Sequence, residues 1–340
     1  MKKIIITGGA GYIGSHTVVE FQEAGFEVVI IDNLSNSNIK VIDGIKKITG
    51  IRPLFYKSNI ANYSEIDTIF SEHKDAVALV HFAAYKAVGE SVQKPLMYYS
   101  NNLTGLINIL SLMIDNNIPN FVFSSSCTVY GQPKQLPVTE ESPVVKAESP
   151  YGNTKKISEE IIVDTLSANP QLKTISLRYF NPIGAHPSAE IGELPIGVPN
   201  NLLPYITQTA IGIREKLSVF GNDYNTPDGT AIRDYVNVVD LAKSHVAAVN
   251  RLLEVKNTEA CEVFNIGTGK GVSVLEIIES FERSTGQKLP YKIVDRRAGD
   301  VEQVWANTTK ANNILKWKAE KTLDETIKSA WEWEKKLRGI

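Results

Sequence analysis

Short β-branched apolar runs alternate with longer stretches in which apolar side chains return every three or four positions, and this alternation persists through the first half of the chain. Lys2 to Thr7 reads as a buried strand ending at glycine. After the turn, Ile13, Thr17, Val18, Phe21 and Ala24 recur at helical spacing until Gly25 stops the helix. Glu27 to Ile31 is the next strand. Further strands are predicted at Pro53 to Tyr56, Ala76 to Phe82, Phe121 to Ser124 and Thr174 to Arg178, with helices from Ser64, from Pro95 to Asn116 and from Pro150. Such alternation gives an α/β fold with a doubly wound parallel sheet, whose ligands sit beyond the carboxyl ends of the strands. Polar clusters fall at those ends: Asn59, His81 to Lys86, Ser124 to Thr128 and Tyr179 to Asn181. Beyond Asn181 the rhythm breaks at Pro182, Pro187, Pro195, Pro199 and Pro204. The chain is therefore expected to divide into a sheet domain over 1–180 and a smaller α/β substrate-binding domain over 181–340, with the segment around 235–250 a candidate to return to the first.

Composition narrows the setting. The 340 residues, 43% hydrophobic and 22% charged, suffice for one large or two ordinary domains. A net charge of -2 argues against a surface that coats nucleic acid. Cys127 and Cys261 have no CxxC or metal-ligand spacing, so no metal is expected and a reducing cytoplasm is the expected home. The first strand begins at Lys2 with no small-residue cleavage site after it, so no signal peptide is expected. Apolar runs such as Ala76 to Val80 are far below membrane-spanning length.

Candidate chemistry begins at "TGGAGYIGS", residues 7 to 15. Gly8, Gly11 and Gly14 lie between a strand and a helix, where glycines admit positive φ and close backbone approach and the helix N-terminus offers free N–H groups to a pyrophosphate. Asp32 ends the second strand, where an acid meets adenosine ribose hydroxyls; it also suits the turn that follows. Its charge would repel a 2′-phosphate, and no Lys or Arg follows before Lys40, which favours NAD over NADP. In "SPYGNTKK", Tyr151 and Lys155 stand one helical turn apart on one face. A lysine charge beside a phenol favours the phenolate, as a general base requires. Ser126, at a strand end, is placed to hydrogen-bond the same substrate hydroxyl.

The glycine turn, Asp32, Ser126 and the Tyr151 and Lys155 pair resemble those of the extended short-chain dehydrogenase/reductase family, sugar-nucleotide enzymes with a Rossmann-type sheet and a small substrate domain. Longer runs extend the resemblance over nearly the whole chain: "HFAAYKAVGESVQKPLMYY", "FSSSCTVYG", "LRYFNPIGAHPSAEIGE", "PNNLLPYI", "FGNDYNTPDGTAIRDYV" and "RRAGDVEQVWAN". They are similar to the branch of the family that inverts C4 of UDP-hexoses. The resemblance implies an isomerase in which Tyr151 takes the proton of the sugar 4-hydroxyl while the C4 hydride moves to tightly bound NAD. The 4-keto sugar then turns its other face, and hydride and proton return, interconverting UDP-galactose and UDP-glucose. Carried over by position, NAD contacts fall on Gly8, Gly11, Tyr12, Ile13, Asp32, Asn33, Asn36, Ser37, Asn59, Ile60, Phe82, Ala83, Ala84, Lys86, Asn101, Ser126, Tyr151, Lys155 and Phe180. Substrate contacts fall on Lys86, Ser126, Tyr151, Asn181, Asn201, Leu202, Ser218, Phe220, Arg233, Arg297, Asp300 and Val304. The family also implies a homodimer through the 95–117 and 150–168 helices.

Some residues stand apart from the family pattern or compete with it. Family members that eliminate water carry an Asp-Glu pair after the strand-end Ser or Thr; Cys127 and Thr128 occupy those places, which disfavours elimination. Asn59 stands where many relatives have Asp to receive the adenine amino group, and Asn can still accept that bond. Val304 is small where enzymes restricted to plain hexoses often carry Tyr, so activity on N-acetylated UDP-hexosamines is expected as well. Arg233 and Arg297 suit a diphosphate through their paired donors, against the competing reading of ion pairs with Asp234 or Asp300. His81 and His186 are read as structural, residues 267–273 as a turn, and Trp305, Trp317, Trp331 and Trp333 as core and interface. Two other functions compete: a reductase consuming free NADH or NADPH, and an NAD-sensing module with no need of Tyr151 or Lys155.

Overall fold

The strand rhythm becomes β1 (Lys3–Thr7), β2 (Glu27–Asp32), β3 (Leu54–Lys57), β4 (Ala76–His81), β5 (Asn120–Ser126) and β6 (Lys173–Tyr179) in a computed structural model that describes every residue except Lys146, Ala298 and Gly299. The last two belong to the "RRAGDVEQVWAN" run and lie outside the described residues. Between these strands run α1 (Tyr12–Glu23), α2 (Lys40–Thr49), α3 (Tyr63–Glu72), α4 (Val88–Gln93), α5 (Pro95–Asp115) and α6 (Pro150–Ala168). The sequence pattern did not yield α2 or α4.

The second half contributes β7 (Asn181–Ile183), α7 (Leu202–Ala210), β8 (Leu217–Phe220), β9 (Ile232–Arg233), β10 (Tyr235–Asn237), α8 (Val238–Leu253), β11 (Cys261–Ile266), β12 (Val272–Ser273), α9 (Val274–Thr285), β13 (Tyr291–Val294), β14 (Gln303–Val304) and α10 (Leu323–Arg338). β11 joins the first six strands in a seven-stranded sheet of order β11-β6-β5-β4-β1-β2-β3, parallel throughout. The order reverses beside β1, which has β2 on one side and β4 on the other. The crevice beyond their carboxyl ends is where such sheets bind ligands.

Each sheet face carries its own apolar layer. On one, Val18, Val19 and Phe21 of α1 pack with Leu241, Ala248, Val249 and Leu252 of α8 against Ile4, Ile6 and Ile30 of the strands. The other holds Ile66 and Phe70 of α3, Leu106 and Leu110 of α5, and Ile162 and Leu166 of α6 over Ile5, Leu79 and Phe121. Beyond the strand ends, β7 pairs with β10, β9 lies between β12 and β14, and β8 pairs with β13. α7, α9 and α10 gather a third core around Ile206, Phe281, Ile327 and Trp331.

Candidate active site

Gly8 follows β1 with φ +71, a conformation glycine adopts without strain. A Cβ there would lie 2.7 Å from the Ala83 backbone nitrogen, so the turn and the loop after β4 touch main chain to main chain. Gly11 caps α1 without a side-chain bond, and a Cβ on it would meet only the Gly8 carbonyl, at 3.2 Å. The first intrahelical bond runs from Ser15 N–H to the Gly11 carbonyl at 2.9 Å, which leaves the Tyr12, Ile13 and Gly14 N–H groups at the helix mouth. Asp32 accepts from the Ala10 N–H (3.0 Å), the Leu34 N–H (2.8 Å) and the Ser37 hydroxyl (2.9 Å). It therefore ties the glycine turn to the loop after β2, the turn role the sequence allowed, with its carboxylate still facing the cavity. A glycine cradle, free N–H groups and a carboxylate at the end of β2 together fit a dinucleotide.

Catalytic candidates meet at the ends of β5 and α6. Ser149 caps α6 by accepting from the Gly152 N–H at 3.2 Å, and Pro150 starts its first turn, which sets Tyr151 and Lys155 at the helix entrance. Ser126 accepts from the Thr128 N–H at 3.2 Å and hydroxyl at 3.0 Å. Burial pushes the Tyr151 phenol well up, Tyr179, Cys127 and Tyr98 push the same way, and hydrogen bonding with Ser126 pulls it down. Burial is the largest influence on this phenol, and Lys155 is not among the groups that shift it. The Lys155 ammonium donates instead to the Ser124 carbonyl at 2.6 Å, beneath which lies the Phe123 ring, and its own burial lowers it to about 8. Ser124 also shares a hydrogen bond with the Tyr179 hydroxyl.

A single cavity of about 1970 Å³ runs from the glycine turn past these residues to β8, β9 and β14. Every residue expected at cofactor or substrate lines it except Asn59. The side-chain oxygen of Asn59 accepts from the Ala61 N–H two residues on (3.1 Å), and its neighbours Ser58 and Ile60 face the cavity instead. At the far end Asp300 pairs with Arg297 at 2.7 Å and with Arg233 at 3.8 Å, so the ion pairs weighed from sequence do form with Asp300. Asp234 is otherwise engaged: it accepts from Thr268, Gly269 and Ala306 and pins the 267–269 turn. Val304 is buried beside Phe180, Tyr130 and Ala306, in register with Arg233.

His81 and His186, read as structural, each hold a local partner. His81 is buried against Thr7 (2.7 Å), where burial and Lys155 hold it down to about 3, and His186 accepts from the Ser188 N–H at 3.2 Å. Among the described residues there is no cluster fit for a metal ion, and no helix is long and apolar enough to cross a membrane.

Residues 5–330 match a family model described as GDP-mannose 4,6 dehydratase. A rice (Oryza sativa subsp. japonica) protein named UDP-glucose 4-epimerase 1 is 49% identical over 339 residues, covering 99% of this chain and 95% of its own. The chain belongs to the UDP-glucose 4-epimerase family. Among solved structures, the UDP-glucose 4-epimerase of Stenotrophomonas maltophila, with NAD and formylated UDP-arabinopyranose bound, superposes with TM-score 0.96 at 43% identity over 100% of this chain and 99% of that one. That of Bifidobacterium longum, in complex with NAD+ and UDP, gives 0.94 at 42% over 98% of each.

Residues after Ser126 separate this chain from the dehydration that the family model's description names. Burial raises the Cys127 thiol to about 12, and the Thr128 hydroxyl is spent on Ser126, so neither offers the acid and base that water loss requires. Glu193 and Trp333 are among the cavity residues that sequence reasoning missed. Glu193 accepts from Asn201 at 2.5 Å and pairs with Lys86 at 3.6 Å, and Trp333 donates to the Glu193 carbonyl at 2.9 Å. Trp333 reaches the cavity from α10, more than a hundred residues along the chain from Glu193, and no local pattern announces that approach. The other tryptophans fit the core reading best at Trp317 and Trp331, both buried.

Proposed function

We propose that this chain interconverts UDP-galactose and UDP-glucose by inverting C4 of the hexose, using NAD that stays bound through the cycle. The observation that carries it is the convergence of Tyr151, Ser126, the glycine cradle and the Arg233 and Arg297 pair on one cavity. NAD, when bound by the Gly8 to Ile13 turn and Asp32, supplies a reversible hydride acceptor. Tyr151 takes the proton of the 4-hydroxyl and later returns it, while the Ser126 hydroxyl orients that oxygen. Arg233 and Arg297 grip the diphosphate through charge-assisted bonds. Apolar walls at Val304 and Phe180 leave the 4-keto ring free to present its second face.

The small Val304 wall supports N-acetylated UDP-hexosamines as further substrates. Exposed Ile107 on α5 and Val163 on α6, at 49% and 50%, support a homodimer through these helices. The free thiols of Cys127 and Cys261 support a cytoplasmic setting. Purified protein given UDP-galactose with no added nicotinamide is expected to form UDP-glucose. Product that appears only with added, stoichiometrically consumed NADH would establish the reductase instead.

A further inference from the structure

Behind the catalytic face of the sheet lies a largely buried charged cluster that the reaction as described does not use. Glu159 sits one helical turn beyond Lys155 on α6. Its carboxylate accepts from Arg178 Nε at 2.9 Å and a second guanidinium nitrogen at 2.6 Å, and from the Ser125 hydroxyl at 2.6 Å. Arg178 and Ser125 are partners in register across β6 and β5. Ser125 is flanked by Ser124, whose carbonyl holds the Lys155 ammonium, and by Ser126. The guanidinium continues to the Tyr130 hydroxyl at 3.0 Å, which donates to Asn265 of β11 at 2.7 Å. One carboxylate thus clamps the strand ends that carry the catalytic groups.

A buried ion pair of this kind is poor value as a source of stability, because desolvating both charges offsets most of their attraction. The cost makes sense if the carboxylate acts on a neighbour. Around the Lys155 ammonium stand the neutral His81 from β4, the Ser124 carbonyl and the Phe123 ring on β5, and, one turn along α6, Glu159, whose charge is shared with Arg178 of β6. Glu159 is the anion in that set, and it favours the charged lysine against burial.

We propose that Glu159 is a positioning residue for the epimerisation: through Ser125 and Arg178 it fixes the strand ends that present Ser126 and orient Lys155. This rests on the epimerase reading above. The test is the pH profile of kcat with UDP-galactose for wild type, Glu159→Gln and the double variant Glu159→Gln/Arg178→Gln, with melting temperature measured alongside. The double variant leaves no orphaned guanidinium and carries the test if the single one does not fold. The alkaline limb is expected to move down by about one pH unit in both, with a roughly tenfold loss of kcat near neutrality. Folded variants whose profiles superpose on that of wild type would overturn the proposal. So would a limb that shifts in the single variant and returns in the double, which would trace the effect to the unpaired arginine. Wild type that forms no UDP-glucose would sink the epimerase reading itself, a separate outcome.

Discussion

Lys155 gives its ammonium to the carbonyl of Ser124 at 2.6 Å, so the lysine is anchored to the strand that ends in the catalytic serine. Burial lowers this lysine from 10.5 to about 8. The charged form is disfavoured in the native state, so the unfolded chain binds more protons between those values. Native stability therefore carries the full penalty below about pH 8 and recovers as pH rises toward 10.5. Lys155→Met removes that penalty. Its melting temperature relative to wild type should be most favourable near neutrality, and the advantage should shrink across this window, while activity falls by about a hundredfold or more. A difference that stays flat with pH would contradict the burial argument.

Tyr151→Phe deletes one oxygen from a side chain whose helix is held by Ser149 and Pro150. The fold and UDP affinity should persist. Conversion of UDP-galactose should drop by about 10² to 10⁴, the usual worth of a positioned acid-base group. Calorimetric binding of UDP beside the rate assay separates the two effects.

Gly8 and Gly11 should fail differently. Alanine at Gly8 must adopt φ +71 and approach the Ala83 backbone at 2.7 Å, so a loss of about 1–3 kcal/mol in denaturant unfolding is expected. Alanine at Gly11 meets only one carbonyl, and stability should change by less than about 1 kcal/mol. Its methyl group sits at the cavity, so the purified protein should retain little NAD. Equal unfolding curves for the two variants would refute the distinction.

Val304→Tyr should narrow the substrate range. A phenol ring in place of Val304, which already packs on Phe180, takes up space that a 2-N-acetyl group would need. Wild type is expected to turn over UDP-N-acetylglucosamine and the variant to lose it, with UDP-glucose turnover largely kept. A wild type inert toward the N-acetyl sugar would remove the argument from pocket size.

Much of the site was legible because its chemistry is local in sequence. The glycine spacing, the Tyr151 to Lys155 turn and the strand-end serine each occupy fewer than ten residues, and periodicity placed them on the right elements. What escaped is long-range. β11 lies within the stretch assigned to the second domain, and only its pairing with β6 makes it part of the central sheet. α2 went unread although Gly50 ends the helix in the left-handed conformation expected of a stop signal. Asn59 was placed by analogy, and a two-residue side-chain turn decides its orientation instead. The burial of the Tyr151 phenol also escaped, because residue spacing reveals neighbours and conceals desolvation.

The late arrival of β11 and α8 also bears on how the chain is made. A ribosome that has released residues up to β6 has produced a six-stranded sheet with one long edge unpaired and the apolar face of α1 bare, both awaiting segments some sixty to ninety residues downstream. Unpaired edges and uncovered apolar faces invite association with other chains. A nonsense mutation soon after Tyr179 would therefore yield an aggregation-prone fragment in place of a free-standing nucleotide-binding unit.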